Sequence, residues 1–266
     1  MIKLGVNTVL FAGTGFKTAA NYIKWAGYDA LEISAIKGMC EHLCLDTWKQ
    51  DAAEIKAISE DLQLAITAME EAALDEERLM LAYEAAAEIG IPVVNVGPGG
   101  SKDVPEDLPR VIDMLAKMAE RAEPFGVALC VKAHVNASIW NTPTTVEAMS
   151  KITSPAFGID MDPSHIHRSG EVPKDALKNV ISRVRHIHIR DCAGPGPSPG
   201  EPELQTCGRG DIDLWGYCVA MADSGYEGPV NLEVIGATEY PVERCAIIAA
   251  ESYGYLNACL QGCNAR

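Results

Sequence analysis

Eight short apolar runs, each followed by a stretch of helical character, predict an α/β fold and specifically a (β/α)8 TIM barrel forming a single domain over residues 1–266. Eight such units fit a chain of about 250 residues, and no Ser/Gly-rich linker or shift in composition divides this one. The runs are IKLGVN (2–7), ALEI (30–33), LAITA (64–68), VVNV (93–96), ALCV (128–131), FGIDM (157–161), VRHIHI (184–189) and VNLEV (230–234). Between them, Thr47 to Asp61, Asp75 to Ile89 and Pro105 to Glu123 place apolar residues at i, i+3, i+4 and i+7, one face of a helix. Asp46 and Thr47 start one helix and Gly90 stops another. The competing fold is an open doubly wound sheet, whose nucleotide-binding form carries GxGxxG after its first strand; NTVLFAGTGFKT stands there instead. Gly97-Pro98-Gly99-Gly100 reads as a plain turn between strand and helix.

Composition narrows the function. A formal net charge of −15 argues against a nucleic-acid partner, because nonspecific binding of a polyanion needs a basic surface. No apolar run approaches the roughly 18 residues of a membrane helix, and the N-terminus lacks the long apolar segment of a signal peptide. A cytoplasmic protein with no membrane partner is expected. The nine cysteines include no CxxC pair and read as reduced, buried thiols.

In a parallel barrel, the residues that end the strands converge on one mouth. Read in order they are Asn7, Glu32, Glu70, Asn95, Lys132 with His134, Asp162 with His165, His188 with Asp191, and Glu233. Almost every strand thus delivers a polar group. Residues two apart on a strand share a face, so His186 and His188 both point inward, with His188 nearer the mouth. Asp162, His188 and Glu233 come from three neighbouring strands, and mixed carboxylate and imidazole donors suit Mn, Mg, Co or Zn. A polar site without metal is the rival reading.

DPSH at 162–165, HIHIRD at 186–191, GRGDID at 208–213 and GYEGPVNLEV at 225–234 resemble segments of the sugar phosphate isomerase/epimerase family. Those xylose-isomerase-like TIM barrels include ketose 3-epimerases, inosose-processing enzymes and relatives of abasic-site endonucleases. The resemblance implies one divalent ion held by Glu, Asp, His and Glu from strands five to eight. Asp162, His188 and Glu233 match the last three ligands. At the first, LCVKAHVN puts Lys132 where the glutamate belongs and His134 where the family has histidine; Arg209 likewise replaces an acid in the glycine-rich GRG.

The implied activity is isomerisation or epimerisation of a ketose, sugar acid or cyclitol through an enediolate, with Glu233 as base and His165 or His134 moving oxygen-bound protons. Asn7, Glu32, Glu70, His186, Arg190 and Arg209 are the expected substrate contacts. Two readings of Lys132 stay open. Its ammonium replaces the metal between Asp162 and Glu233 and acts as a catalytic electrophile, or a metal is kept with His134 as fourth ligand. A lyase, dehydratase or decarboxylase acting on a keto-sugar is the alternative chemistry, and a non-catalytic sugar-binding barrel is the alternative class. The aliphatic segment from Arg244 to Leu260 suits packing on the barrel or against a second subunit in a homo-oligomer.

Overall fold

The structure, a computed structural model, describes residues 1–266. Eight strands form the barrel: β1 (Lys3–Asn7), β2 (Ala30–Ile36), β4 (Ala65–Ala72), β5 (Val93–Val96), β6 (Ala128–Lys132), β7 (Phe157–Met161), β8 (Val184–Ile189) and β9 (Pro229–Leu232). Neighbours pair in parallel around the ring, and β1 pairs with both β2 and β9, which closes it. A ninth strand that the sequence reading missed, β3 (Cys40–Glu41), lies antiparallel to the end of β2.

Outside run α1 (Phe16–Trp25), α2 (Trp48–Leu62), α3 (Glu76–Ile89), α4 (Asp107–Ala122), α5 (Thr142–Lys151), α6 (Pro163–Arg168), α7 (Pro173–Val180), α8 (Pro202–Gln205), α9 (Leu214–Asp223) and α10 (Val242–Gly262). Local chemistry sets these boundaries. Asp75 caps α3 by accepting the Arg78 amide at 2.9 Å, and Gly90 ends that helix with φ of 92°, a conformation that costs glycine little. No helix is long and apolar enough to cross a membrane.

Strand alternation separates two environments. Outward residues such as Leu4, Leu31, Val131, Ile159, Ile187 and Leu232 are buried in the main apolar core beneath the helices. Inward residues are polar over most of the barrel's length. Only a small apolar plug of Ala68, Val93 and Cys130 stands apart from the main core. Gly5 is required on the inner face, because a Cβ there would overlap the Asn231 amide. The C-terminal α10 buries Cys245, Ile248, Ala249, Leu256 and Leu260, and Ala249 accepts the Tyr28 hydroxyl at 2.9 Å.

One expectation changes in a way that matters for the site. β4 continues to Ala72, well past the expected end at residue 68, so Glu70 sits within the strand; a polar side chain aimed into a polar interior does not interrupt pairing. Ser164 and His165 are helical. They lie in the first turn of α6, where Pro163 occupies the first position and the Asp162 carboxylate caps the helix, accepting the Ser164 amide at 2.7 Å and the His165 amide at 3.4 Å.

Candidate active site

Two polar layers fill the barrel between the apolar plug and the mouth. The lower is built on Asp160, which sequence reasoning missed. It accepts His186 Nδ1 at 2.8 Å through one carboxylate oxygen and His188 Nδ1 at 2.7 Å through the other. Asn231 donates to His186 Nε2 at 2.7 Å, Asn95 donates to Glu32 at 2.7 Å, and Glu32 also pairs with His188 Nε2. Burial alone would push Asp160 up, but the two imidazoles outweigh it and hold it well below the usual carboxylate range. Burial would likewise lower His188, yet Asp160 and Glu32 keep it well above the usual histidine range, as an imidazolium.

Replacing Asp160 with asparagine removes one of the two anions that hold this buried cation. We expect a loss of about 3–5 kcal/mol of stability, read as a fall in the thermal midpoint at pH 7. The pH dependence has two signs. The depressed Asp160 contributes stability that is lost as pH falls through its folded value, and the raised His188 contributes stability that is lost as pH rises through its own. The asparagine penalty should therefore be largest between those limits.

The upper layer centres on Lys132. Its Nζ donates to Glu233 Oε1 at 2.8 Å and to Glu70 Oε1 at 3.0 Å, with all three side chains buried. Asn7 donates to the other oxygen of Glu70 at 2.5 Å. Arg190, two residues beyond His188 on the inward side, approaches Asp162 Oδ2 and Glu233 Oε2 at 3.2 Å each, and its Nε donates to Ser164 Oγ at 2.9 Å. Burial opposes the Lys132 charge, but Glu233 and Glu70 hold the ammonium well above the usual lysine range. Burial also opposes ionisation of Glu233, and Arg190 and Lys132 reverse that, keeping it well below the usual range. Glu70 is different. Burial and the facing Glu233 charge push it up to about 7 despite Lys132.

A cavity of about 380 Å³ opens over this layer, with Glu70, Lys132, His165, Arg168, Arg190 and Glu233 in its wall. His165 is buried among positive charges; burial first, then Arg190, keep its imidazole well below the usual range and so uncharged at neutral pH. His134 stands at the exposed rim, its ring centroid 4.2 Å from that of His165 and its Nδ1 against the Val135 carbonyl.

Carboxylate and imidazole donors suited to a divalent ion are present in two groups: Glu70, His188 and Glu233, and Glu32, His186 and His188. Neither contains Asp162, which the resemblance placed among the ligands, or His134, the fourth ligand of the reading in which a metal is kept. Asp162 spends one oxygen on the α6 cap and turns the other to Arg190. In the Glu70 group, the Lys132 ammonium contacts both carboxylates and lies 3.3 Å from His188 Nδ1. While that lysine is charged, a divalent ion does not fit there, because two cations would occupy one small buried space. In the other group, both nitrogens of each histidine are already engaged.

Arg209 does not reach the cavity. Asp191 accepts the amides of Gly208 at 3.0 Å and Ile212 at 3.1 Å, and Gly210 packs too closely against Asp191 for a Cβ. The glycines of GRGD therefore wrap Asp191, and the exposed Arg209 guanidinium makes a bidentate pair with Glu251 of α10. The other missed residues had faint signals. Asp160 interrupts an apolar strand at an inward position, Ser164 lies within the DPSH segment, and Arg168 follows it by three residues.

A closed parallel barrel whose strand ends supply an acid–base cluster describes a (β/α)8 barrel with an enzyme-like site at its mouth. Residues 20–252 match the xylose isomerase-like TIM barrel family, and the chain belongs to it. Among curated relatives, an inosose dehydratase of Bacillus anthracis (strain CDC 684 / NRRL 3495) is 28% identical over 87 residues, 32% of this chain and 29% of that protein. This chain spans less than half the length of such relatives: the match to the uncharacterized protein YfiH of Bacillus subtilis (strain 168), 24% identical over 47% of this chain, covers 46% of YfiH. Among solved structures, the IOLI protein with a bound zinc atom superposes with a TM-score of 0.80 at 19% identity, covering 97% of this chain and 99% of that one. The D-psicose 3-epimerase of Clostridium cellulolyticum H10 gives 0.79 at 16%, with the same coverage. At such identities the likeness is one of fold.

Proposed function

We propose that this chain is an isomerase or epimerase acting on a ketose, sugar acid or cyclitol through an enediolate, with the Lys132 ammonium standing where a divalent ion would. The observation that carries the reading is the position of Lys132 Nζ between Glu70 and Glu233. An ammonium has three N–H donors. Two go to the carboxylates, and the imidazolium of His188 cannot accept the third, which is left for a substrate carbonyl.

Glu70 is the proton carrier. Its value near 7 matches neutral operation, whereas Glu233, expected to be the base, is held too far down to be an effective one and serves to anchor Lys132 and Arg190. The carbon–hydrogen bond next to the carbonyl breaks, its proton passes to Glu70, and its electron pair forms the enediolate double bond as the carbonyl oxygen takes up negative charge. Lys132 and Arg190 stabilise that charge in a site shielded from water. Isomerisation follows when Glu70 returns the proton to the adjacent carbon, and epimerisation when an acid on the opposite face supplies it. The uncharged imidazole of His165 is suited to relay oxygen-bound protons.

Elimination of water from a keto-sugar is the second reading, favoured by the presence of one carboxylate near 7 rather than two and by the inosose dehydratases among the relatives. Incubation of ketoses, keto-cyclitols and sugar acids in deuterated water separates the two by mass. The first reading expects a product that has gained deuterium and kept its oxygen count; a product lighter by one water supports the second. Saturable binding of a sugar with neither exchange nor loss would mean a barrel that binds without catalysis. No helix of the chain is long and apolar enough to cross a membrane, and the proposed partner is a small sugar-derived substrate, with a homo-oligomer as the further expectation.

A further inference from the structure

Arg168 has no role in the acid–base scheme, yet it is a buried charge in the cavity wall. Its guanidinium touches only uncharged partners: Nε donates to the Ser164 carbonyl at 3.2 Å, Nη1 to the Pro197 carbonyl at 2.8 Å, and Nη2 to His165 Nδ1 at 3.1 Å. No carboxylate pairs with it, whereas buried charges are ordinarily paired. Burial and the neighbouring Arg190 both push its pKa below the usual arginine range, the signature of a cation short of an anion. Arg190 adds an independent observation. It is 2% exposed, it lines the same cavity, and its Nη1 is shielded from water with no hydrogen-bond acceptor at all.

The charge count points the same way. Lys132, Arg168 and Arg190 supply three cations to the cavity wall, where Glu70 and Glu233 are the carboxylates. Asp162 is itself turned to Arg190 and the cap of α6. The positive excess lies on the Arg168 side, where both guanidinium groups meet His165.

We propose that Arg168 and Arg190 form a subsite for an oxyanion carried by the ligand, a carboxylate or a phosphate, so that the substrate class is an acidic sugar rather than a neutral one. This rests on the sugar-processing reading only for the word sugar; the anion site stands on the two guanidinium groups. Planar forks of this kind match the oxygen spacing of carboxylate and phosphate. A purely structural Arg168 would instead act as a strut, pinning the Gly/Pro-rich segment through Pro197.

Calorimetric titration of the whole chain with inorganic phosphate, with D-gluconate and with the uncharged polyol D-glucitol, at matched ionic strength, tests the proposal. Tighter binding of at least one anion than of D-glucitol is expected, phosphate alone indicating a phosphorylated sugar and gluconate alone a sugar acid. Arg168→Gln should weaken the anion by at least about ten-fold, the scale of one lost charge-assisted hydrogen bond, without changing the D-glucitol response. Neither anion outperforming the polyol, or an Arg168→Gln protein that binds the anion as wild type does, overturns the subsite. If the glutamine form does not fold, the wild-type comparison still decides, and Arg168→Lys should keep the preference for an anion at reduced affinity. Because binding is read without turnover, a protein that binds anions but exchanges no proton would count against the proposed activity and leave the subsite intact.

Discussion

Replacement of Lys132 by methionine should lower kcat about 10²–10³-fold on whichever substrate the wild type turns over, the cost of removing one preorganised donor from a developing oxyanion. Methionine keeps the length of the side chain and removes the charge. Glu70 and Glu233 then face each other without the ammonium that bridged them, leaving Arg190 and the His188 imidazolium as the cations acting on Glu233. Breaking a buried pair in this way costs about 3–5 kcal/mol. Loss of turnover should therefore come with a lower thermal midpoint, and addition of a divalent ion should restore part of both. If the methionine variant keeps full activity, Lys132 is not the electrophile.

Glu70→Gln should cost about 10²–10⁴ in kcat, the usual contribution of a positioned acid–base group. Its pH behaviour is more diagnostic than its size. With Glu70 as base, log kcat/KM for the wild type should rise with unit slope up to about pH 7 and then level, and the glutamine variant should lack that limb. Stability gives an independent reading. Because Glu70 is raised from about 4.5 to about 7, the folded state binds more protons between those values, so its contribution is complete below the lower one and declines as pH rises to the upper. Glutamine cannot ionise, so the variant should gain stability relative to wild type across that interval, measured by urea unfolding at pH 5 and pH 8.

The barrel was legible because each strand is short, apolar on its outer face and followed by a helical stretch, and that pattern needs no long-range information. The cluster at the mouth was also legible as a set, since Asn7, Glu70, Lys132, Arg190 and Glu233 all fall at inward positions near strand ends. How that set divides its labour was not. Asp162 looks like a ligand in one dimension, but its oxygens are taken by the α6 amides and by Arg190, and only the folded helix reveals that competition. Asp160 was passed over because an aspartate inside an apolar strand gives no sign that two histidines from β8 will meet it. Arg209 misled for the converse reason: glycines on both sides suggest approach to a ligand, and here they allow approach to Asp191.

The Lys132 assignment is tested most directly by metal content. Wild type and Lys132→Glu should be loaded with Mn²⁺ or Zn²⁺, passed over a desalting column, and analysed by plasma mass spectrometry, with wild-type turnover measured before and after a chelator. The expected result is little retained metal and chelator-resistant turnover in wild type, with about one equivalent retained by the glutamate variant, in which a third carboxylate beside Glu70 and Glu233 replaces the ammonium. About one tightly held equivalent in wild type, with turnover lost on its removal, would contradict the account.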